Sequence, residues 1–343
     1  MLAGSRRRPT LRRVDDTFPV ADGITAIDTR MVGRYLVTSA YLVEAEEPAL
    51  IETGPSTSAD AVARGLDALG MTADQLAHIL VTHIHLDHAG GAGTLARRYP
   101  AATIWVHGRG ARHLADPTRL VASTARTYGA DRMREFFGDV VPIPSDRLRS
   151  MADGDRVSLG DRSVGVLETP GHASHHVCLV DSRTGALFAG DALGVHLPDV
   201  RVLRPATPPP EFDIELACAS IDRIADRAPA MLLLSHFGPV ENPSAICSLA
   251  VERIRRWGEI VRLALEADDD LERISALLEA QGGREYLEDS GQPIDMERYD
   301  VLSSVRMNAA GLIRYWSKRA EAEALAALSS ESPEHRPGGS GER

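Results

Sequence analysis

In "ILVTHIHLDHAGG", residues Ile79 to Gly91, three histidines and an aspartate fall within six positions directly behind an apolar run. His83 and His85 are two apart, and Asp87 and His88 follow. A period of two puts His83, His85 and Asp87 on one side of an extended segment, and a turn at its end can bring His88 round. Buried strands favour Val and Ile, so four polar side chains at this place need partners; leaving them unpaired costs desolvation energy. A metal ion supplies such partners. Imidazole and carboxylate are the ligand types expected for Zn²⁺, with iron or manganese as the alternatives.

Three more strand ends carry the same chemistry. His172 lies in "ETPGHASHH", where Pro170 and Gly171 break the strand, Asp191 in "LFAGDAL", and His236 in "LLLSHFGP". A lone histidine at a strand end is more often hydrogen-bonded structure than ligand. Together with the first cluster, however, these residues make five histidines and two aspartates. That set is enough for two adjacent divalent ions with a shared carboxylate. No GxSxG elbow, GxGxxG turn or P-loop spacing is present, so neither a serine nucleophile nor a nucleotide site is expected from those motifs.

The elements that must position these residues are legible as alternating short β-rich runs and helical stretches. "GITAIDTRMV", "YLVTSAYLVEA", "ALIETG", "HILVTH", "TIWVH", "SVGVLETP", "HVCLVDS", "GALFAGD" and "MLLLSH" read as strands. Helices are expected over "STSADAVARGLDALGM", where Val62, Leu66 and Leu69 keep helical spacing, near Gly93–Arg98, and at Ile214–Ala225. The segment Gly108 to Phe137 reads as a polar, helical insert, and "HLPDVRVLRPATPPPEF" as a proline-rich loop. From Asn242 and Pro243, a good cap and first-turn pair, the pattern turns wholly helical. The expected organisation is a flexible segment 1–20, a catalytic α/β domain 21–241, a helical domain 242–328 and a disordered tail 329–343.

Bulk properties narrow the function. The 343 residues carry a formal charge of -11, which disfavours a general affinity for nucleic acid. Cys178, Cys218 and Cys247 show no CxxC spacing and read as reduced thiols in a cytoplasmic protein. The basic start "MLAGSRRRPTLRR" is not followed by an apolar stretch and does not read as a secretory signal, and no run is long enough to span a bilayer. The expected partner is a small-molecule substrate, with neither nucleic acid nor membrane. The apolar faces at Ile246–Leu265 and Val301–Trp316 are expected to pack on the catalytic domain or to form a homodimer.

With its motifs in this order, the sequence resembles the metallo-β-lactamase superfamily of metallohydrolases over about residues 23 to 240. Within it, the chain is similar to the glyoxalase II-like branch with a helical C-terminal extension. The HxHxDH signature is His83, His85, Asp87 and His88, followed by His172, Asp191 and His236. The resemblance implies an αββα sandwich with two metals at one edge. It implies that His83, His85 and His172 hold one ion, Asp87, His88 and His236 the other, and that Asp191 bridges them. The family's usual Asp-Thr-Gly stands here as Glu52-Thr53-Gly54, which casts Glu52 as a support for the ligands. His176 occupies a position the family often fills with histidine and reads either as a second support or as surface.

The resemblance further implies a hydrolase acting through a hydroxide that bridges the two ions, with Asp87 ligating, orienting that hydroxide and relaying its proton. Zinc β-lactamases commonly have cysteine where Asp191 stands, and the di-iron flavoproteins have glutamate where His85 stands. The branch resembled points to a thioester or lactone-type small molecule. Phosphodiester hydrolysis, mono-iron chemistry of the sulfur-dioxygenase kind and a non-catalytic sensor are the alternatives. No basic set in the helical region marks a glutathione pocket. The substrate wall is expected from Tyr128, Phe136 and Phe137, from the loop His196 to Phe212 and from the C-terminal helices. Arg201 and Arg204 read as anion holders or as surface, and His107, His113, His175 and His196 as surface or loop residues.

Overall fold

The computed structural model of the chain describes residues 16–197, 202–240, 242–291 and 303–330. One sheet is formed by β1 (Thr17–Ala21), β2 (Ile24–Asp28), β3 (Ser39–Val43), β4 (Ala49–Ile51), β5 (His78–Leu80), β6 (Thr103–His107) and β7 (Leu148–Met151), neighbours in that order. The chain then builds β8 (Arg156–Ser158), β9 (Ser163–Glu168), β10 (Val177–Asp181) and β11 (Ala186–Gly190), and makes a separate hairpin of β12 (Val195–Leu197) and β13 (Val202–Arg204). With β14 (Met231–Leu234) and β15 (Gly238–Val240), the second sheet runs β15-β14-β11-β10-β9-β8.

Side chains that alternate along each strand separate the layers. Leu42, Leu50, Ile79 and Ile104 face α1 (Ala59–Ala68), and Leu50, Ile79 and Ile104 share that core with Leu95 and Ala96 further on. Their neighbours Tyr41, Val43, Ile51 and Leu80 instead pack against Val166, Leu179, Phe188 and Leu233 of the second sheet. The stretch after β5 forms α2 (Leu86–Ala89) and α3 (Ala92–Arg98). The insert forms α4 (Gly108–Ala115), α5 (Thr118–Tyr128) and α6 (Ala130–Phe137), helical as its sequence implies.

The outer face of the second sheet is covered by α7 (Ile214–Asp226), α8 (Pro243–Glu266), α9 (Leu271–Ser290) and α10 (Val305–Ser330). Leu187, Cys178 and Leu232 of the sheet share one core with Ile221 of α7, Ile254, Trp257 and Val261 of α8, Leu278 of α9 and Leu312 of α10. The architecture is therefore the αββα sandwich, extended by helices on one side. At the start of α8, the Asn242 side chain accepts the Ala245 N–H, as its place before Pro243 implies. Trp257 is wholly buried, and its indole N–H donates to Glu285 Oε2 at 3.1 Å, so the buried carboxylate and the ring satisfy one another.

Several expectations change. Residues 17–20 are not a flexible segment: they belong to β1, with Phe18 buried in the inter-sheet core. The proline-rich loop carries the β12–β13 hairpin, in which Val195 pairs with Arg204. The strands β1, β7, β8 and β15 were not expected; β7 and β8 are short and mostly exposed, so they carry no apolar alternation to read. Residues 1–15, Arg201, Glu241 beside the expected domain boundary, Val301 and residues 331–343 of the tail lie outside the described residues. Among the described residues no helix is long and apolar enough to cross a membrane.

Candidate metal centre

The site forms where the two sheets are stitched together. Ser39 N–H donates to the Ser235 carbonyl at 2.8 Å, and the Tyr41 hydroxyl donates to the Leu234 carbonyl at 2.5 Å. This brings the strand end that carries His236 against the loops after β4 and β5.

The extended reading of the first cluster holds only as far as His85. Asp87 and His88 stand on the single turn of α2, for which His85 supplies the capping carbonyl, accepting from His88 N–H at 3.0 Å and from Ala89 N–H at 2.9 Å. The loop after β4 clamps this turn. Thr53 sends both its N–H (2.9 Å) and its hydroxyl (2.7 Å) to the His88 carbonyl, and Gly91 N–H donates to the Gly54 carbonyl at 2.9 Å.

All seven expected residues converge in two groups. In the first, His85 Nδ1 lies 3.0 Å from His83 Nε2 and 2.9 Å from His172 Nε2. In the second, Asp87 Oδ2 lies 3.6 Å from His88 Nε2 and 3.4 Å from His236 Nε2. Asp191 stands between them: Oδ1 is 3.3 Å from both His88 Nε2 and His236 Nε2, while Oδ2 is 3.5 Å from His172 Nε2. Within each of the sets His83/His85/His172, His83/His88/Asp191 and Asp87/His88/His236, one donor atom per residue lies within 4.8 Å of the others.

Hydrogen bonds on the far side of the rings decide which nitrogen faces inward. A carbonyl can only accept, so the contacts of His172 Nδ1 with Ala206 O (3.1 Å) and of His236 Nδ1 with Val37 O (3.4 Å) place N–H on Nδ1 and turn Nε2 into the site. For His83 the chain is longer. Thr82 Oγ1 donates to Glu52 Oε1 at 2.5 Å and accepts from His83 Nδ1 at 3.0 Å. The other oxygen of the same carboxylate, Glu52 Oε2, faces His88 Nδ1 at 3.5 Å. One buried glutamate thus reaches His83 through a hydrogen-bonded threonine and faces His88 as a charge without a hydrogen bond, which is the support expected of Glu52 and a common arrangement around metal ligands.

His176 is buried rather than at the surface, and it acts on Asp191. Its Nε2 accepts the Asp191 N–H at 3.1 Å, which leaves Nδ1–H to donate to Thr169 Oγ1 at 2.8 Å. Gly190 allows this approach. Its φ is +52°, and a Cβ there would stand 2.5 Å from His176 Nε2 and 2.7 Å from Thr82 Oγ1. Gly190→Ala should therefore push His176 and Thr82 apart and displace the Asp191 carboxylate. The expected cost is on the order of 2–3 kcal/mol of stability, from positive φ and overpacking together. Urea unfolding measures it, and an unchanged midpoint would contradict the close contact.

The electrostatics differ between the two groups. Burial, then the neighbouring rings, holds His83 and His85 well below the ordinary histidine range, so they remain neutral donors. Burial opposes charge on His88 as well, but Asp191, Asp87 and Glu52 overcome it and raise that histidine well above its ordinary value. His236 is raised to about 9 against burial by Asp191 and Asp87. Asp87 is lowered to about 2 against burial, chiefly by His88 and His236. The carboxylates thus demand compensating positive charge at a place where His88 Nε2, His236 Nε2 and Asp191 Oδ1 have no hydrogen-bond partner. A divalent cation satisfies both requirements with the donor types present.

A cavity of about 320 Å³ opens over this floor. Its lining includes His85, Asp87, His172 and Asp191 of the donor groups, Tyr128 and Phe137 of the insert, and Ala206, Pro208–Pro210 and Met307. The insert, the proline-rich segment and α10 thus all reach the cavity, as expected, although Phe136 does not line it. Tyr128 donates its hydroxyl to the Met307 sulfur at 3.1 Å, tying the insert to α10.

Four other expectations are corrected. Arg204 is buried and donates to the Ser303 carbonyl at 3.3 Å, so it links the hairpin to the segment before α10 and is neither an anion holder nor surface. His107 is buried against Glu168 at 2.9 Å, His196 is buried within the β12–β13 hairpin, where it pairs with Leu203, and His175 is buried and lines the cavity. His113 also lines the cavity. Sequence reasoning missed Thr82, Thr169 and Gly190, whose roles arise only from tertiary contact.

This fold and site define the class. Residues 33–236 match the Metallo-beta-lactamase superfamily, and the chain belongs to it; its members are metal-dependent hydrolases. Among relatives, the chain is 28% identical over 224 residues to the uncharacterized protein YobT of Bacillus subtilis (strain 168), covering 64% of this chain and 91% of that one. It is 34% identical over 146 residues to a hydroxyacylglutathione hydrolase of Bradyrhizobium sp. (strain ORS 278), covering 41% of this chain and 44% of that one. The chain therefore spans less than half the length of that hydrolase. The fold is similar to that of a metallo-beta-lactamase family protein from Thermus thermophilus, with a TM-score of 0.63 at 20% identity over 88% of this chain and 95% of that one.

Proposed function

We propose that the chain is a dinuclear metal-dependent hydrolase acting on a thioester or lactone-type small molecule. The observation that carries this reading is Asp191, whose two oxygens face the two donor groups separately. His83, His85 and His172 would hold one ion and Asp87, His88 and His236 the other, with Asp191 shared. Zn²⁺ is the first ion to test, with iron and manganese as alternatives. Two bound divalent ions would supply a water of lowered pKa and an electrophile for the substrate oxygen.

The chain's own residues do the rest. Asp87 is the more exposed of the two central carboxylates and lines the cavity, so its free oxygen is the one positioned to hold a proton on its way to a leaving group. The apolar lining residues Phe137 and Pro208–Pro210 would exclude water and accommodate an acyl chain. The similarity to hydroxyacylglutathione hydrolases supports an acyl-transfer substrate over a phosphodiester. Screening the zinc-loaded protein against aryl and alkyl thioesters, lactones and phosphodiesters tests the reading. Thioester or lactone turnover is expected to exceed phosphodiester turnover, and the reverse order would displace it.

A further inference from the structure

Chain-wide, acidic residues outnumber basic ones, with a formal charge of -11, yet residues 108–137 contain six arginines against three carboxylates. Two of these arginines are distinctive. Arg119 and Arg126 are seven residues apart on α5, two helical turns, and so share one face. Both line the cavity over the metal centre, and both are exposed at its rim. Some exposed arginines of the fold are matched to acids, such as Arg134 with Asp131, Arg98 with Asp67 and Arg223 with Asp153; others, such as Arg97 and Arg132, are in no ion pair among the described residues, but they do not line the cavity. Among the described residues no ion pair involves Arg119 or Arg126.

Their surroundings leave the guanidiniums free for a ligand. Asp116 attracts Arg119 without forming an ion pair and accepts hydrogen bonds from Thr118, and Glu211, a carboxylate of the lining, accepts the Ser174 N–H on Oε2 at 3.0 Å. His113, also in the lining, is held below its ordinary pKa, by burial first and then by Arg112 and Arg119 against Glu211 and Asp116, which places it near Arg119. The lining also holds the apolar Pro208–Pro210 and Met307. The cavity thus combines buried carboxylates and imidazoles of the donor groups with apolar residues and two exposed arginines.

We propose that the substrate of this site carries an anionic group, a carboxylate or a phosphate, remote from the scissile bond, and that Arg119 and Arg126 receive it. The proposal rests on the hydrolase reading above and deepens it. Guanidinium is suited to this task, since its planar fork meets carboxylate and phosphate oxygens in pairs. On a protein of net negative charge, a local cationic rim also concentrates anionic substrates at the one place where they can react.

The test is binding, measured by calorimetry on the zinc-loaded full chain with three non-hydrolysable amides. N-(2-carboxyethyl)octanamide, N-(2-phosphonoethyl)octanamide and the neutral N-(2-hydroxyethyl)octanamide share the acyl chain and differ in the terminal group. At low salt at least one anionic probe should bind about tenfold more tightly than the alcohol, the scale of two partly exposed charge pairs. That advantage should shrink at high salt and collapse in R119Q/R126Q with zinc content unchanged. Which anion gains more decides between a carboxylate and a phosphate substrate. Equal affinities for all three probes, no measurable binding of either anion, or an advantage that survives the double substitution would each overturn the proposal. Thioester hydrolysis by the same preparations reports separately on the underlying reading. Turnover without an anion advantage removes the rim proposal alone, and an anion advantage without turnover of any ester removes the hydrolase reading alone.

Discussion

Asp191→Ala should leave a folded protein that retains at most one tightly held divalent ion and hydrolyses its substrate orders of magnitude more slowly. The backbone supports this variant. Asp191 N–H donates to His176 Nε2 whatever the side chain, so the loop keeps its anchor and the carboxylate alone is removed. What disappears is the only described side chain whose oxygens face both donor groups, at 3.3 Å from His88 and His236 and 3.5 Å from His172. His88 and His236 also lose the carboxylate that contributes most to raising them, so the second group is left with weaker charge compensation in a buried place. Elemental analysis after dialysis reads the outcome. Two ions retained per chain would show that Asp191 does not bridge.

Asp87→Asn separates holding an ion from handling a proton. The amide keeps the size and one oxygen donor but loses the charge and the capacity to accept a proton, so it is a weaker ligand for a borderline or hard divalent ion. The ion shared with His88 and His236 should bind less tightly, while the group His83, His85 and His172 is untouched. Excess zinc should then restore occupancy but leave turnover at least ~100-fold down, the scale of general acid–base assistance. Full activity in the zinc-saturated variant would confine Asp87 to ligation.

The candidate ligands were legible because metal binding concentrates rare residue types at strand ends, where an apolar run makes each imidazole conspicuous. His83, His85, Asp87 and His88 announce themselves within six positions, and His172, Asp191 and His236 each follow a buried strand. The layered fold was legible for the same reason that strands alternate: Tyr41 and Leu42 face different cores, and their neighbours repeat the pattern. The supports were not legible. Thr82 and Thr169 are ordinary strand-end threonines until Glu52 arrives from another strand end and His176 folds back across the β9–β10 connection. Ala206 contributes only its carbonyl, for which any residue type would serve.

Charge was the least readable quantity. Arg204 and Arg119 look alike in sequence, yet one is buried against the Ser303 carbonyl and the other stands at the cavity rim. The local excess of arginine in the insert was present in the sequence, but its meaning depends on α5 lying beside the metal centre. Likewise His175 differs from its neighbour His176 only by direction: one enters the cavity wall and the other grips the Asp191 backbone.

If Asp191 is shared by two ions, both should be needed for hydrolysis. The most direct measurement is a zinc titration of the chelator-stripped protein, with metal content and aryl thioester hydrolysis recorded at each step. Binding should saturate at two ions per chain, with full hydrolytic activity appearing only as the second is taken up. Saturation at one ion per chain with full hydrolytic activity would contradict this expectation.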